Sequence, residues 1–182
     1  MLTTWWVTPT CLPLVRRRCH ACASVRFRAD GKFRVNANHK LLDAWLLVLC
    51  TGCGATAKLT FLERAHVRSV PPGLLDRLHG NDPGLAAELL RDPVLQRRNR
   101  IALDWDGAWR LDTGGAMHIG AEAVDVSVRF AARIPVRPLR LIAEGFGFPR
   151  AEAERLAAEG RIVSVVRLSG KPAGDFGFTL KR

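Results

Sequence analysis

Two short motifs, Cys19-His-Ala-Cys22 and Cys50-Thr-Gly-Cys53, decide the fold of the N-terminal region. They are separated by 27 residues. Each C-x2-C turn presents two thiolates, and two such turns complete a tetrahedral site for one metal ion. We therefore predict one structural zinc ion held by Cys19, Cys22, Cys50 and Cys53. An iron–sulfur cluster accepts the same four cysteines, and redox use of a C-x-x-C motif is a further alternative.

The residues between the two motifs have strand patterns. Apolar and basic residues alternate over residues 24–38, which predicts a hairpin that turns at Asp30-Gly31. Its basic face, formed by Arg26, Arg28 and Arg34, is expected to point to solvent. Residues 44–49 are apolar on both faces and predict a buried strand that leads into the second motif. This order is the layout of a zinc ribbon, with the hairpin as an insertion that explains the long spacing.

Composition indicates a cytoplasmic protein. The five cysteines are an odd number, which argues against a disulfide framework and leaves Cys11 as a small buried side chain without a metal role. The longest apolar run, residues 44–50, is too short to cross a bilayer. The arginines at 16–18 follow the N-terminal apolar stretch, which is the wrong order for a secretory signal. We expect no membrane partner.

The net charge of +11 is unevenly distributed. Residues 1–70 carry +8, residues 71–132 carry −2 and residues 133–182 carry +5. A basic excess indicates a polyanionic partner, most often nucleic acid. The alternative is a genome composition that favours arginine.

The same three segments are the predicted domains: a zinc-ribbon-like domain over 1–70, a helical and hairpin middle over 71–132, and a helix pair with a closing strand over 133–182. Asp82 and Asp92, each followed by proline, predict the starts of two helices. Alternation over 101–111 predicts a hairpin with Trp105 opposite Trp109. Glycines at 145 and 147 are predicted to end the first C-terminal helix, and residues 162–168 to form the last strand.

Enzyme motifs are absent from the sequence. There is no phosphate-binding G-x-x-x-x-G-K-[ST] loop, no G-x-S-x-G elbow and no H-E-x-x-H helix. Asp104, Asp106 and Asp112 cluster near one predicted hairpin, but turn formation and exposure to solvent account for them. His118, with Glu122 and Asp125 nearby in the chain, is the remaining catalytic candidate. We therefore predict no catalytic residues.

The chain resembles a bacterial family, the domain-of-unknown-function family numbered 1062. The resemblance lies in Trp6, Thr8 and Pro9, in both cysteine pairs, in residues 32–38 and 40–46, and in Asn81-Asp82. It runs the length of the chain. It implies a bacterial zinc-ribbon-like protein and brings no assigned activity.

Residues 137–162 resemble the RNA-binding domain shared by ribosomal small-subunit protein four, tyrosyl-tRNA synthetases and pseudouridine synthases. The match is ungapped, although Leu139, Pro149 and residues 169–171 depart from the usual pattern. In that domain the second helix and a neighbouring loop present basic residues to structured RNA. The resemblance therefore implies RNA contacts by Arg137, Arg140, Arg150, Arg155 and Arg161.

Together these observations predict an α+β protein: a zinc ribbon, a small helical and hairpin middle, and an RNA-binding-like helix pair. The expected function is non-catalytic, zinc-containing nucleic-acid binding, with structured RNA as the partner. The alternatives are a zinc-stabilised protein-interaction module and an enzyme that uses His118 and nearby carboxylates.

Overall fold

Two five-stranded sheets organise the protein, which is described here by a computed structural model covering residues 2–115 and 123–181. They belong to two compact units. We call Leu12–Asp104 the cysteine unit, and Met1–Cys11 with Trp105–Arg182 the split unit. The division therefore falls after residues 11 and 104, whereas the sequence predicted boundaries near 70 and 132.

The cysteine unit is an antiparallel sheet with three helices. Its strands lie in the order β5-β4-β3-β2-β6. They are β2 (Leu14–Arg16), β3 (Arg26–Asn38), β4 (Leu41–Cys50), β5 (Thr56–His66) and β6 (Ala102–Asp104). The helices are α1 (Pro72–His79), α2 (Pro83–Arg91) and α3 (Pro93–Asn99).

Strand β4 shows how the core of this unit forms. Leu46 and Val48 are fully buried and pack in one cluster with Leu90 of α2 and Leu95 of α3. The alternate residues of β4, such as Trp45, are half-buried. The helices therefore cover one face of the sheet. The prediction that the strand over residues 44–49 is buried on both faces is wrong, because only one face of β4 is fully buried.

The hairpin predicted over residues 24–38 is wrong. β3 is one continuous strand that pairs with β4 on both sides of an irregularity between Ala29 and Phe33. Gly31 sits in this bulge with φ 74°, and the Asn81 side chain accepts a 2.8 Å hydrogen bond from the Phe33 N–H. The Asp30-Gly31 pair thus forms a bulge instead of a turn, and the reversal comes later, at His39 (φ 53°). The 27 residues between the motifs form two long paired strands, not an inserted hairpin.

Both predicted helix starts are confirmed. The Asp82 carboxylate accepts hydrogen bonds from the N–H groups of Gly84 (2.7 Å) and Leu85 (3.3 Å). The Asp92 carboxylate accepts one from Val94 (2.8 Å). Each satisfies donors that the first helical turn leaves without a partner.

The split unit combines a mixed sheet with two helices. Its strands lie in the order β7-β1-β8-β10-β9, with β1 parallel to β8. They are β1 (Leu2–Pro9), β7 (Trp109–Asp112), β8 (Ala123–Phe130), β9 (Ile162–Ser164) and β10 (Phe176–Lys181). The helices are α4 (Pro138–Phe146) and α5 (Arg150–Ala158). The α+β class is therefore confirmed.

The core of the split unit centres on Trp5. Its indole is fully buried and makes edge-on contacts with Phe146 (5.2 Å between ring centroids) and Phe178 (5.4 Å). The ring lies so close to Gly145 that a Cβ there would stand 2.2 Å from it. Helix α4 continues through Gly145, and Gly147 (φ 69°) caps it. Trp5 is thus a core residue.

The hairpin predicted over residues 101–111 is also wrong. β6 pairs with β2 in one sheet, and β7 pairs with β1 in the other. The chain passes from one unit to the other between these strands. Local alternation detected the two strands but could not show that each completes a different sheet.

Candidate metal centre

The four cysteines of the two motifs come together at one end of the cysteine unit. Their sulfur atoms all lie within 4.8 Å of one another. Cys19 Sγ is 3.7 Å from Cys53 Sγ, and Cys22 Sγ is 3.6 Å from Cys50 Sγ. A tetrahedral ion with bonds of about 2.3 Å holds its sulfurs about 3.8 Å apart. The donor set therefore fits one four-coordinate metal ion.

Paired strands bring the two turns side by side. The first turn connects β2 to β3 and the second connects β4 to β5. Because Phe27 of β3 lies opposite Cys50 of β4, the two turns emerge at the same end of the sheet. Ser24 Oγ and Thr51 Oγ1 are 3.3 Å apart, and Thr51 Oγ1 donates to the Arg26 carbonyl at 3.0 Å. These hydrogen bonds tie one turn to the other.

Backbone N–H groups support the sulfurs within each turn. Ala21 N–H donates to Cys19 Sγ, and Gly52 N–H donates to Cys50 Sγ, both at 3.4 Å. A Cβ at Gly52 would stand 3.1 Å from Ser24 Cβ and 3.3 Å from Cys22 Sγ. Gly52 therefore lets the two turns approach closely, while Gly54 supplies a positive φ of 74°.

The site lies at the edge of the core. Cys19 and Cys50 are buried and belong to the apolar cluster of Leu46 and Val48, and Cys22 packs against it. Cys53 is exposed. A metal ion bound here would join the two turns to the core, which is the arrangement of a structural site with all four positions filled by protein.

The thiols influence one another's protonation. A backbone hydrogen bond from Cys53, assisted by one from Gly52, lowers the pKa of Cys50 to about 6 despite its burial. At Cys22 a backbone hydrogen bond from Ser24 acts to lower the pKa, but the neighbouring thiols Cys50 and Cys53 outweigh it and raise the pKa to about 12. One thiol therefore ionises readily, and a bound cation would favour the thiolate form of its neighbours.

The remaining cysteine and the histidines at positions 20 and 39 stand outside this group. Cys11 belongs to the split unit and is exposed, so the expectation that it is buried is wrong. His20 and His39 are exposed, and neither belongs to the four-residue cluster found among the described residues.

The acidic residues considered as catalytic groups have separate partners. Asp104 pairs with Arg26 at 3.2 Å, and Asp106 accepts from Arg140 at 2.8 Å. Asp112 accepts from the Gly114 N–H at 2.9 Å. His118 and Glu122 lie outside the described residues, and Asp125 accepts from Thr179 Oγ1 at 2.6 Å.

The arginines assigned to RNA by resemblance, which we call the helix-pair arginines, lie on or beside α4 and α5 of the split unit. Arg137, Arg140 and Arg150 line one cavity of about 780 Å³. Arg155 and Arg161 are absent from its lining, which also includes Phe148 and Leu168. Carboxylates engage four of the five residues: Asp106 pairs with Arg140, Glu154 with Arg150, Glu152 and Glu159 with Arg155, and Glu159 with Arg161.

The β3 arginines, Arg26, Arg28 and Arg34, are all exposed, as the alternation predicted. Arg26 pairs with Asp104, and Arg28 lies 3.4 Å from Asp30. Among the described residues no carboxylate lies within ion-pair distance of Arg34. The ladder register places all three on the face of the sheet opposite the helices.

Sequence reasoning missed Trp45 and Lys58 as members of this basic face. Trp45 lies directly opposite Arg34 in the ladder, and Lys58 Nζ stands 4.9 Å from the centroid of its ring. Residues 44–50 are all apolar, so the sequence does not separate the two faces of β4; in the structure Trp45 shares the phase of Leu47 and Leu49 and not that of the buried Leu46 and Val48.

The fold and the site define an α+β protein with a cluster of four cysteines that could hold a metal ion. The family model described as "Protein of unknown function (DUF1062)" matches residues 35–168, about three quarters of the chain. The chain belongs to this family, as its sequence motifs predicted. The matched residues include the second cysteine pair and begin after the first.

Comparisons with curated proteins and with solved structures give no match. They therefore lend no support to the resemblance between residues 137–162 and the RNA-binding domain. In the described part of the chain, none of the helices has the length and apolar character needed to cross a membrane.

Proposed function

We propose that this chain is a non-catalytic, zinc-stabilised nucleic-acid-binding protein and that RNA is its ligand. The observation that carries the proposal is the basic face of the cysteine unit: all three β3 arginines lie on it, and the strand that carries them begins beside the four-cysteine cluster. The proposed role of zinc is structural: it fixes the two turns from which the strands of this face extend.

Zinc is the proposed metal because all four sulfurs are near enough to bind one ion. Cysteines that bind different irons of a multi-iron cluster stand farther apart than ligands of a single ion. Tetrahedral four-thiolate coordination without an open position is the usual arrangement of structural zinc. The paired turns at one end of an antiparallel sheet also support a zinc-ribbon-like arrangement.

Charge supports nucleic acid as the partner. The cysteine unit holds 16 Lys/Arg and 8 Asp/Glu, a net charge of +8, whereas the split unit holds 12 and 9, a net charge of +3. Positive charge concentrated in this way attracts polyanions and makes their binding salt-dependent.

The helix pair is the proposed second contact. Its support is the resemblance of residues 137–162 and the shared cavity of Arg137, Arg140 and Arg150. Arg137 has no carboxylate within ion-pair distance among the described residues and stands at the N-terminus of α4. The other four helix-pair arginines already pair with carboxylates, so a phosphate must compete with these ion pairs.

The test is a filter-binding titration with a pool of structured RNA at about 50 mM salt and above. We expect retention by the wild type and weaker, less salt-dependent retention by R28A/R34A. R137A/R150A should show a smaller loss of the same kind. The matched control is R91A/R97A, which removes the same charge from exposed positions on α2 and α3. No retention of RNA by the wild type, or an equal loss in the control, would overturn the proposal.

A protein-interaction module is the second candidate, favoured by exposed apolar residues of the split unit. Leu2 and Val165 are 74% and 84% exposed and line a shallow groove of about 380 Å³ with Val163. If this face binds a second copy, sedimentation velocity should show concentration-dependent association that V163K/V165K abolishes. A wild-type monomer at all concentrations would remove self-association as its role.

A further inference from the structure

The sheet face opposite the helices of the cysteine unit combines aromatic, aliphatic and basic side chains. The β3–β4 ladder places Arg34 opposite Trp45 and Arg28 opposite Leu49. The β4–β5 ladder places Lys58 opposite Leu47. Residues directly opposite each other in a ladder point to the same face. We call this set the Trp45 face: Arg28, Arg34, Trp45, Leu47, Leu49 and Lys58.

The helices of the unit leave this face uncovered. The apolar residues of α2 and α3 pack with Leu46, Val48 and Leu59, which belong to the other face of the sheet. Trp45, Leu47 and Leu49 are half-buried, while the basic side chains around them are exposed. Across residues 12–104, all of which are described, no helix packs on the Trp45 face.

Cations flank the indole from both neighbouring strands. Arg34 stands opposite Trp45 on β3, and Lys58 Nζ lies 4.9 Å above its ring from β5. Among the described residues, neither Arg34 nor Lys58 has a carboxylate within ion-pair distance. Neighbouring strands are about 4.8 Å apart, so the backbones that carry Arg34 and Lys58 lie one strand spacing away on either side of the strand that carries Trp45.

We infer that the Trp45 face binds single-stranded nucleic acid, with one base stacked on the Trp45 indole and the adjoining phosphates held by Arg34 and Lys58. The inference rests on the proposed function for its class of ligand and adds the strandedness and the contact residues. Bases of a single strand expose their faces to aromatic side chains, whereas those of a duplex are stacked on one another. The unpaired cations favour a polyanion over an uncharged protein segment.

Lys58 has a distinct part in this arrangement. In the free protein its ammonium group occupies the ring face that a base would take. A cation–π contact at an exposed position is weaker than the stacking of a base on an aromatic ring, so a base can displace it. The released ammonium group then lies beside the bound nucleotide, where a phosphate can accept its hydrogen bond.

The experiment measures fluorescence anisotropy of a labelled oligouridylate of about 12 nucleotides, a length within the usual site sizes. The variants are W45L, W45F and R34A/K58A, with R91A/R97A as the charge-matched control on the helical side. An RNA duplex of equal length and poly-glutamate serve as competitors. Zinc content and far-UV circular dichroism check the fold of each variant. If W45L fails to fold, quenching of indole fluorescence by the bound RNA is compared between the wild type and W45F, which lacks the Trp45 indole.

We expect W45L to bind roughly 5- to 150-fold more weakly, the loss of one stacked base, while W45F retains most of the affinity. R34A/K58A should lower the slope of log affinity against log salt by about 1.4, the value for two phosphate contacts on a single strand. The duplex and poly-glutamate should compete poorly, and the control should bind like the wild type.

The inference would be overturned if W45L bound the oligouridylate as tightly as the wild type does. It would also be overturned if the duplex bound as tightly as the oligouridylate, or if poly-glutamate competed equally well. Binding of structured RNA without binding of oligouridylate removes this inference and leaves the proposed function in place. Failure of both RNAs to bind removes both.

Discussion

The two basic surfaces of this protein contain the same kind of residue in different electrostatic surroundings. Arg150, on the helix pair, lies 2.8 Å from Glu154 one turn along α5. Arg155, on the same helix, contacts both Glu152 and Glu159. On the sheet of the cysteine unit, Arg34 and Lys58 have no such partner among the described residues. Positive charge is therefore available on the sheet face and largely compensated on the helix pair.

This difference follows from secondary structure. A helix places residues three and four apart side by side, so alternating Arg and Glu in residues 150–159 neutralise one another. A strand places consecutive residues on opposite faces, so Arg26, Arg28 and Arg34 share one face. Exposed ion pairs contribute little to stability. Their consequence here is competition with phosphate, and we expect the sheet face to dominate binding.

In our proposal a zinc ion stabilises the cysteine unit but not the split unit, and Cys50→Ser tests this with the largest expected effect. Removing one thiolate should release the metal and unfold the cysteine unit, because structural zinc contributes on the order of 10 kcal/mol. Cys11→Ser, in the split unit, is the control and should keep full metal content. Elemental analysis and circular dichroism measure both; metal loss in Cys11→Ser would contradict the ligand assignment.

The corresponding test of the split unit is Gly145→Ala. The added Cβ would stand 2.2 Å from the Trp5 ring, so the fully buried indole or α4 must shift. Overpacking of this kind costs about 3 kcal/mol. Urea unfolding should show this loss without any change in metal content. Gly174→Ala is the control, since a Cβ there has nothing within 4 Å; equal stability of the two variants would contradict the packing described here.

Asn99 tests how α3 is attached to the sheet of the cysteine unit. Its side chain accepts from the Thr60 N–H at 2.8 Å and donates to the Thr60 carbonyl at 2.9 Å. Asn99→Ala leaves both backbone groups without these partners, and we expect a loss of about 2 kcal/mol in the free energy of unfolding. Asn36→Ala, at an exposed position of β3, should change stability little. An unchanged urea midpoint for Asn99→Ala would show that water replaces the side chain.

The smallest effect is a pH dependence that arises at Asp82. A hydrogen bond from Arg77 holds the pKa of Asp82 below its ordinary value, and the N–H groups of Gly84 and Leu85 act in the same direction. Between these two pKa values the unfolded chain binds more protons than the folded chain, so the ionised Asp82 stabilises the folded state. This contribution to the free energy of unfolding is complete above the unfolded pKa, about 3.9, and is lost as pH falls through the lower folded value.

Urea titrations across this acidic range measure the effect. The wild type should lose more stability than Asp82→Asn as pH falls from about 5 to 2. Parallel curves for the two proteins would show that Asp82 has the same pKa in the folded and unfolded states.

Local signals predicted much of the secondary structure. The aspartate–proline pairs located α2 and α3, the apolar run of residues 44–49 located β4, and alternation over residues 101–111 located β6 and β7. Long-range pairing was not predictable in this way. Residues 30–31 have turn chemistry, yet pairing with β4 on both sides makes them a bulge. The strand predicted over residues 162–168 ends at Ser164, and it is not the last strand, since β10 follows after a turn-rich segment and was not predicted.

The cysteine cluster was predictable because its information is local: each C-x2-C turn specifies two potential ligands by itself. The Trp45 face was not, since it depends on the register between three strands. Asn81 shows the same limit. Its amide oxygen accepts a hydrogen bond from the Phe33 N–H, 48 residues away in the chain, and no local pattern predicts this partner.

X-ray absorption spectroscopy of the purified wild-type protein at the zinc edge, combined with elemental analysis, tests the central claim most directly. The account predicts one zinc ion per chain with four sulfur ligands at about 2.3 Å. Iron in place of zinc, a nitrogen or oxygen ligand in the first coordination sphere, or protein without metal would contradict it.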